Sequence, residues 1–244
     1  RNTMDKRLQN EIEHGKDLAR EGAGEVWNWE SAAGKLRWQR RVKMLTSHLK
    51  TGDKVLEIGC GTGYFTREIV KTGALVTAID ISPELLDIAK QEITADNVQF
   101  MLDNAYELSF EDHAFDSVVG SSVLHHLEPA KAISELFRVL KPGGSFYFTE
   151  PNMMNPQIAL QKNIPALKRR LGDSPDETAF FRWPLKKLMQ KTGFTAIEIK
   201  PFDFLHPAVA PKLIPFVSMV GETVEKLPVL KEIAGSLYIS AKKP

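Results

Sequence analysis

The chain predicts an α/β fold, an open doubly wound sheet, on three observations. Short β-branched and apolar runs alternate with helix-like segments from residue 54 onward; those runs are nearly continuous; and glycines or acids stand directly after them. Parallel neighbours need a crossover, and the crossover is usually a helix. Continuous apolar runs are what strands carry when helices cover both sheet faces. In such sheets ligands collect outside the carboxyl ends of the strands, so chemistry is expected just after each run.

The elements follow in order. Residues 1–24 are charge-rich, with Gly15, Gly22 and Gly24, and read as a loose arm or short helix. Lys35 to Leu49 places Leu36, Trp38, Val42, Leu45 and Leu49 at helical spacing. Lys54 to Ile58 is the first strand, followed by Gly59-Cys60-Gly61-Thr62-Gly63 and a helix from Tyr64 to Lys71. Leu75 to Ile79 is the second, ending in Asp80, after which Ser82 and Pro83 start a helix to about Ile93. Val98 to Leu102, Phe115 to Gly120 and Ser145 to Thr149 are the third, fourth and fifth strands. A helix from Ala130 to Leu140 precedes Lys141-Pro142-Gly143-Gly144, which reads as its stop and left-handed cap. Pro184 to Lys191 is a helix, Ala196 to Ile199 the sixth strand and Ser236 to Ala241 the last. The organisation expected is an N-terminal helical arm or lid over residues 1–50 and one domain over 51–244, with insertions at about 151–183 and 201–234.

Composition excludes several classes. The 244 residues hold 32 Lys and Arg against 31 Asp and Glu, a formal charge of +1. That balance removes the usual electrostatic case for a nucleic-acid partner. One cysteine, Cys60, excludes a disulfide framework and a cysteine-based zinc cluster, and no metal is expected. No apolar run reaches the roughly 20 residues needed to cross a bilayer. The charged first 20 residues lack a signal-peptide core, so a cytoplasmic location is expected.

The glycine loop is the most informative segment. Alternate glycines after a strand permit a tight turn and close approach of a ligand to the backbone. Dinucleotide enzymes carry a third glycine one residue later than Gly63, where Tyr64 stands, and no Gly-Lys-Ser/Thr follows. A nucleoside ligand without phosphates remains. Glu57 is placed to meet an ammonium group or to fix the loop backbone. Asp80 is placed to accept from ribose hydroxyls, and Asp103 to pair with an exocyclic amine beside Asn104 and Ala105. Each aspartate reads alternatively as a cap or turn residue.

With these residues in view, the sequence resembles the class I S-adenosylmethionine-dependent methyltransferases, in their small-molecule subgroup. VLEIGCGTG, AIDIS, DNAYELSF, FDSVVGSSVLHHL and ELFRVLKPGGSFYFTEPN carry the resemblance over roughly residues 52–152. It implies a Rossmann-like, seven-stranded sheet, mostly parallel with the last strand antiparallel, capped by helical insertions. It implies cofactor contacts from Glu57, Gly59, Cys60, Gly61, Gly63, Asp80, Ile81, Asp103, Asn104, Ala105 and Ser121, with S-adenosylhomocysteine as product. The reaction implied is in-line methyl transfer to O, N or C of a small-molecule acceptor, lipid-like and glycan-linked acceptors included. The alternative is an inert S-adenosylmethionine-binding regulatory module.

Candidate catalytic groups are His125 and His126, of which at most one faces the reaction, together with Glu150. One histidine reads alternatively as a turn cap or a cofactor contact. Glu150 and Asn152 are expected at the pocket mouth. Trp27, Trp29 and Tyr64 are candidate aromatic faces for a sulfonium, or else pack an N-terminal helix on the sheet. Asp176, Glu177 and Arg182 read as acceptor ligands or solvated loop charges. Lys168-Arg169-Arg170 reads as an anion contact or a solvated helix face. The apolar stretch Phe202 to Val217 roofs an acceptor pocket, touches a membrane surface or a second subunit, or packs on the sheet.

Overall fold

A computed structural model describes residues 3–22, 28–171 and 173–244. Among the described residues, two helices precede the sheet: α1 (Thr3–Glu21) and α2 (Ala32–Thr46). Then come β1 (Lys54–Ile58), α3 (Thr66–Ile69), β2 (Leu75–Asp80), α4 (Pro83–Glu92), β3 (Val98–Leu102), β4 (Phe115–Ser121) and α5 (Pro129–Val139). The chain continues through β5 (Leu140–Pro151), α6 (Pro156–Asn163), α7 (Pro165–Arg170), α8 (Arg182–Thr192), β6 (Thr195–Phe202), α9 (Ile214–Val224) and β7 (Ser236–Lys242).

The strands form one seven-stranded sheet in the order β3-β2-β1-β4-β5-β7-β6. β1 to β5 run parallel, and β7 lies antiparallel between β5 and β6. Strand order reverses between β1 and β4, which opens a crevice at their carboxyl ends. The expected seven strands and antiparallel last strand are present.

Both faces are covered, as the continuous apolar runs require. On one, Leu56, Ile58, Val118, Phe146 and Phe148 pack with Ala132, Ile133 and Leu136 of α5 and Leu185 and Met189 of α8. On the other, Val55, Val76, Val119 and Tyr147 pack with Leu45 of α2, Ile69 of α3 and Leu86 of α4. The Ser31 and Ser82 side chains cap α2 and α4 by accepting from Gly34 N and Leu85 N.

Two expectations need correction. Of the loose arm or short helix expected, the helix is present and it is long, spanning residues 3–21. Gly15 is the reason it seats closely: a Cβ there would lie 2.6 Å from the Ser82 Cβ, so its absence lets α1 approach α4, where Leu18 meets Leu85. Second, α5 ends at Val139 and the chain turns directly into β5, so Gly143, at φ 78°, turns the early part of that strand and caps no helix. The second insertion carries α9, in keeping with the helical insertions expected, and leaves Leu213, Phe216 and Met219 exposed. Among the described residues, no helix is long and apolar enough to cross a membrane.

Candidate functional site

The crevice is built by three strand ends. After β1, Gly59 turns at φ 64°, and a Cβ there would sit 2.4 Å from Val123, so only glycine brings this backbone to the cavity. At the end of β2 the Asp80 carboxylate accepts from Gly61 N at 2.8 Å and Ser82 N at 2.9 Å. Burial raises its pKa, while those backbone N–H groups act in the opposite direction. Asp80 therefore pins the glycine loop to the next helix. After β3, Asp103 folds its own loop, Oδ1 accepting from Asn104 N at 2.8 Å and Oδ2 from Ser109 N and Oγ at 3.1 and 2.9 Å. The turn-residue alternative thus holds for Asp103, and its carboxylate also lines the cavity.

One cavity runs along this edge, lined by Gly59, Gly61, Asp80, Ile81, Asp103, Asn104 and Ala105 and roofed from α1 by Leu8, Glu11 and His14. A second chamber adjoins it, lined by Trp29, Arg37, Arg41, Cys60, Ser121, Gln161, Lys162 and Glu177. Gly59, His14, Ser122 and His126 line both. Two expected contact residues line neither. Glu57 is buried in β1, its Oε2 without a hydrogen-bond partner among the described residues. Burial and the nearby Asp80 charge push its pKa up to about 7, with the Thr66 hydroxyl pulling the other way. Gly63, at φ 85°, packs under Ile93, where a Cβ would fall 2.5 Å from Cδ1. Both support the loop from behind.

The histidine pair sits on a 3-10 turn, Leu124–His126, after β4, and its two members diverge. His125 points inward, its Nδ1 2.7 Å from Glu150 Oε2 and its Nε2 3.2 Å from Glu177 Oε1. Burial disfavours its charge, but the two carboxylates outweigh burial and raise its pKa to about 9. A histidine that is already protonated near neutral pH, with both nitrogens engaged, is not a base. Glu150 is also misplaced by the sequence reading. It is 1% exposed, accepts from Val123 N and Leu124 N at 3.0 and 2.9 Å, and holds the turn instead of facing the pocket mouth. Asn152, likewise buried, donates to the carbonyls of Glu232 and Ala234.

His126 faces the junction of the two cavities. Its Nδ1 lies 2.9 Å from Glu11 Oε2 and 4.0 Å from Glu177 Oε2, and its ring stacks at 6.0 Å on that of His14. Glu11 is held below its ordinary pKa: burial opposes this, and the hydrogen bond and charge of His126 outweigh it. Glu177 is not a solvated loop charge. It is buried, paired with Lys162 and His125, and held far below the ordinary carboxylate range by His125, His126 and Lys162 against the effect of burial.

Glu11 and His14 are the residues that sequence reasoning missed. They stand three apart on one face of α1, a spacing that places both over the crevice once the helix is known. Asp176 anchors that helix by accepting from Asn10 Nδ2 at 2.7 Å, and Glu11 Oε1 accepts from Ser174 Oγ at 2.6 Å. Trp29 already meets cations of the chain itself: Arg37 and Arg41 lie 5.8 and 5.4 Å from its ring centroid. Tyr64 lines the second chamber, and Trp27 falls outside the described residues. Arg182 pairs with Glu232 at 2.9 Å. The basic run at 168–170 lies on α7, where the Lys168 ammonium donates to the carbonyls of Pro175 and Glu177. His125, His126 and Glu177 place one ligand atom each within 4.8 Å of one another. A metal there would have to displace the carboxylates from a protonated His125.

Comparison with known proteins follows the same lines. A family pattern described as a methyltransferase domain matches residues 56–148. Demethylmenaquinone methyltransferase of Clavibacter sepedonicus is 37% identical over 167 residues, 60% of this chain and 67% of that protein. The enzyme of that name from Staphylococcus epidermidis is 30% identical over 188 residues, 68% and 77% of the two chains. Among solved structures, Haemonchus contortus phosphoethanolamine N-methyltransferase 2 with S-adenosyl-L-methionine superposes with a TM-score of 0.63 at 20% identity, covering 91% of this chain and 56% of that one. The [4+2]-cyclase SpnF gives 0.61 at 22% identity, covering 85% and 81%. At such identities these two structures speak for the fold alone.

Proposed function

Because this chain belongs to the class I S-adenosylmethionine-dependent methyltransferases, we propose that it methylates a small-molecule acceptor held in the second chamber, with His126 as proton acceptor. The observation that carries the reading is the position of His126, which lines both cavities and has a carboxylate on one nitrogen only. The comparisons lend no support to an inert binding module.

The first cavity fits the adenosine part of the cofactor. At Gly59 the backbone borders the space directly, and Asp80, Asp103 and Asn104 supply polar groups along the strand ends. Gly59, Gly61, Asp80, Ile81, Asp103, Asn104 and Ala105 would hold it, while Cys60 and Ser121 belong to the acceptor side. S-adenosylmethionine supplies an electrophilic methyl group on a sulfonium. The Glu11 carboxylate, held below its ordinary pKa, puts a negative group at the junction, while Glu177 is already paired with Lys162 and His125.

The His126 Nδ1 lies 2.9 Å from a Glu11 carboxylate oxygen, which leaves Nε2 as the ring atom that accepts a proton when the ring is neutral. It can take a proton from a hydroxyl or amine as that group becomes the nucleophile. Glu11 orients the ring and stabilises the imidazolium that results. His125 and Glu150 act differently, by fixing the turn on which His126 stands. α1 and the 174–177 segment close over the junction and exclude water.

A menaquinone-like acceptor is the second reading, drawn from the names of the relatives. Its support in this chain is the exposed apolar group Leu213, Phe216 and Met219, where a lipid tail could lie. A screen with isotopically labelled methyl donor against polar and lipid extracts tests both. Label should enter one small-molecule fraction with the native enzyme and vanish with His126→Gln, while S-adenosylhomocysteine affinity stays unchanged. Equal labelling by both proteins would remove His126 from the reaction.

A further inference from the structure

The second chamber carries more positive charge at one end than its surroundings neutralise. Arg37, Arg40 and Arg41 lie together on α2, and two carboxylates face them. Arg40 takes Glu225 through both terminal nitrogens. That leaves Asp203 for the other two: its Oδ2 accepts from Arg37 Nε and from Arg41 Nη2, each at 2.8 Å. Arg41 is 4% exposed and completes its bonds on Ser236 Oγ and the Arg37 carbonyl. Arg37 does not complete its own. Among the described residues its guanidinium makes only the Nε bond, and both Nη groups stand without a hydrogen bond.

The acids elsewhere in the chamber are already committed. Asp173 and Glu177 hold Lys162, and Glu177 also meets His125. None of them is bonded to the arginine end. Among the described residues, two guanidiniums on one carboxylate therefore leave one positive charge without a paired acid against Trp29, on the wall of a cavity. The Arg37 side chain is 18% exposed, so water screens this charge only in part and a negatively charged partner on the chamber wall would stabilise it. A planar guanidinium with free Nη groups matches one class of partner in particular, a carboxylate or phosphate that can accept two parallel bonds.

We propose that the acceptor is recognised through an oxyanion, a carboxylate or a phosphate, bound by Arg37 against Trp29 with Arg41 behind it. This rests on the second chamber being the acceptor site. The anion is the handle of the acceptor and is distinct from the atom methylated, which lies at the His126 junction. Asp203 sets the handle's position: it adopts φ 79°, uncommon for a residue with a side chain, and fixes the Arg37 Nε so that the Nη groups remain for the ligand.

The test uses the enzyme saturated with S-adenosylhomocysteine, titrated calorimetrically with phenyl phosphate, benzoate, benzyl alcohol and menadiol. Phenyl phosphate or benzoate should bind, and whichever binds more tightly identifies the anion. The two neutral probes should bind at least about ten-fold more weakly. Arg37→Gln should weaken anion binding by about ten-fold or more with S-adenosylhomocysteine affinity unaltered. Arg37→Lys, which keeps the charge and loses the fork, should weaken it by less and serves if the glutamine variant does not fold. If the cofactor product itself fails to bind, the reading of the site falls first. If it binds while the anions do not, or while menadiol binds as tightly and Arg37→Gln changes nothing, the oxyanion handle is wrong.

Discussion

Deprotonating His125 should destabilise the protein by about 3 kcal/mol, and the pH at which this happens follows from its two carboxylate partners. Its pKa stands at about 9 in the fold against an ordinary 6.5, and each pKa unit corresponds to about 1.4 kcal/mol. A folded-state pKa above the unfolded one means the stabilisation is complete below pH 6.5. It is lost progressively as pH rises through 9. Burial of the imidazole works against the shift, so the gain comes from Glu150 at 2.7 Å and Glu177 at 3.2 Å. Urea unfolding of the native chain and of His125→Gln, at pH 6 and pH 9.5, isolates the effect, because the remaining titrating groups are common to both. The native chain should lose about 3 kcal/mol more than the variant between those pH values. At pH 6 the variant should itself be weaker by about 3–5 kcal/mol, since two buried carboxylates lose their cation. Parallel pH profiles for the two proteins would show that His125 is not the charged centre of this cluster.

His126→Gln should lower the rate of methyl transfer by about 100-fold or more while S-adenosylhomocysteine binding is retained; a change of only a few-fold would leave the acceptor to lose its proton without this ring. Asp80→Ala removes the carboxylate that accepts from Gly61 N and Ser82 N. Calorimetry should show S-adenosylmethionine affinity falling by about ten-fold or more, and unchanged affinity would mean the loop keeps its shape unaided. Gly59→Ala introduces both a positive-φ strain and a Cβ 2.4 Å from Val123. It should abolish cofactor binding, and Val123→Ala in the same chain should restore only part of it, because the backbone strain remains; full recovery would show that crowding alone was at issue.

The strand ends were legible in the sequence because parallel pairing is a local rule with a global consequence. If β1, β2 and β3 are parallel, then Gly59, Asp80 and Asp103 must lie on one edge, whatever the rest of the chain does. The same reasoning failed for Glu150. It lies near the end of β5, but a backbone N–H cluster and His125 draw its carboxylate inward, and no spacing in the sequence announces that. The full length of the helix from Thr3 was not legible, because Gly15 argues against a long helix in isolation. In place, Gly15 is what permits the contact with Ser82 that holds the helix.

The succession of strands and helices along the chain, the glycine turn and the edge where chemistry gathers follow from the amino-acid sequence, since each depends on neighbours within one strand–turn–helix unit. The division of labour between His125 and His126 does not. It depends on Glu11, Glu150 and Glu177, brought in from α1, β5 and the first insertion, and on which imidazole nitrogen each one meets. The surplus charge at Arg37 is of the same kind, because it appears only when Asp203 folds back to serve two arginines at once. Hydrogen-bond partners so distant along the chain are chosen by packing, and packing belongs to the tertiary structure.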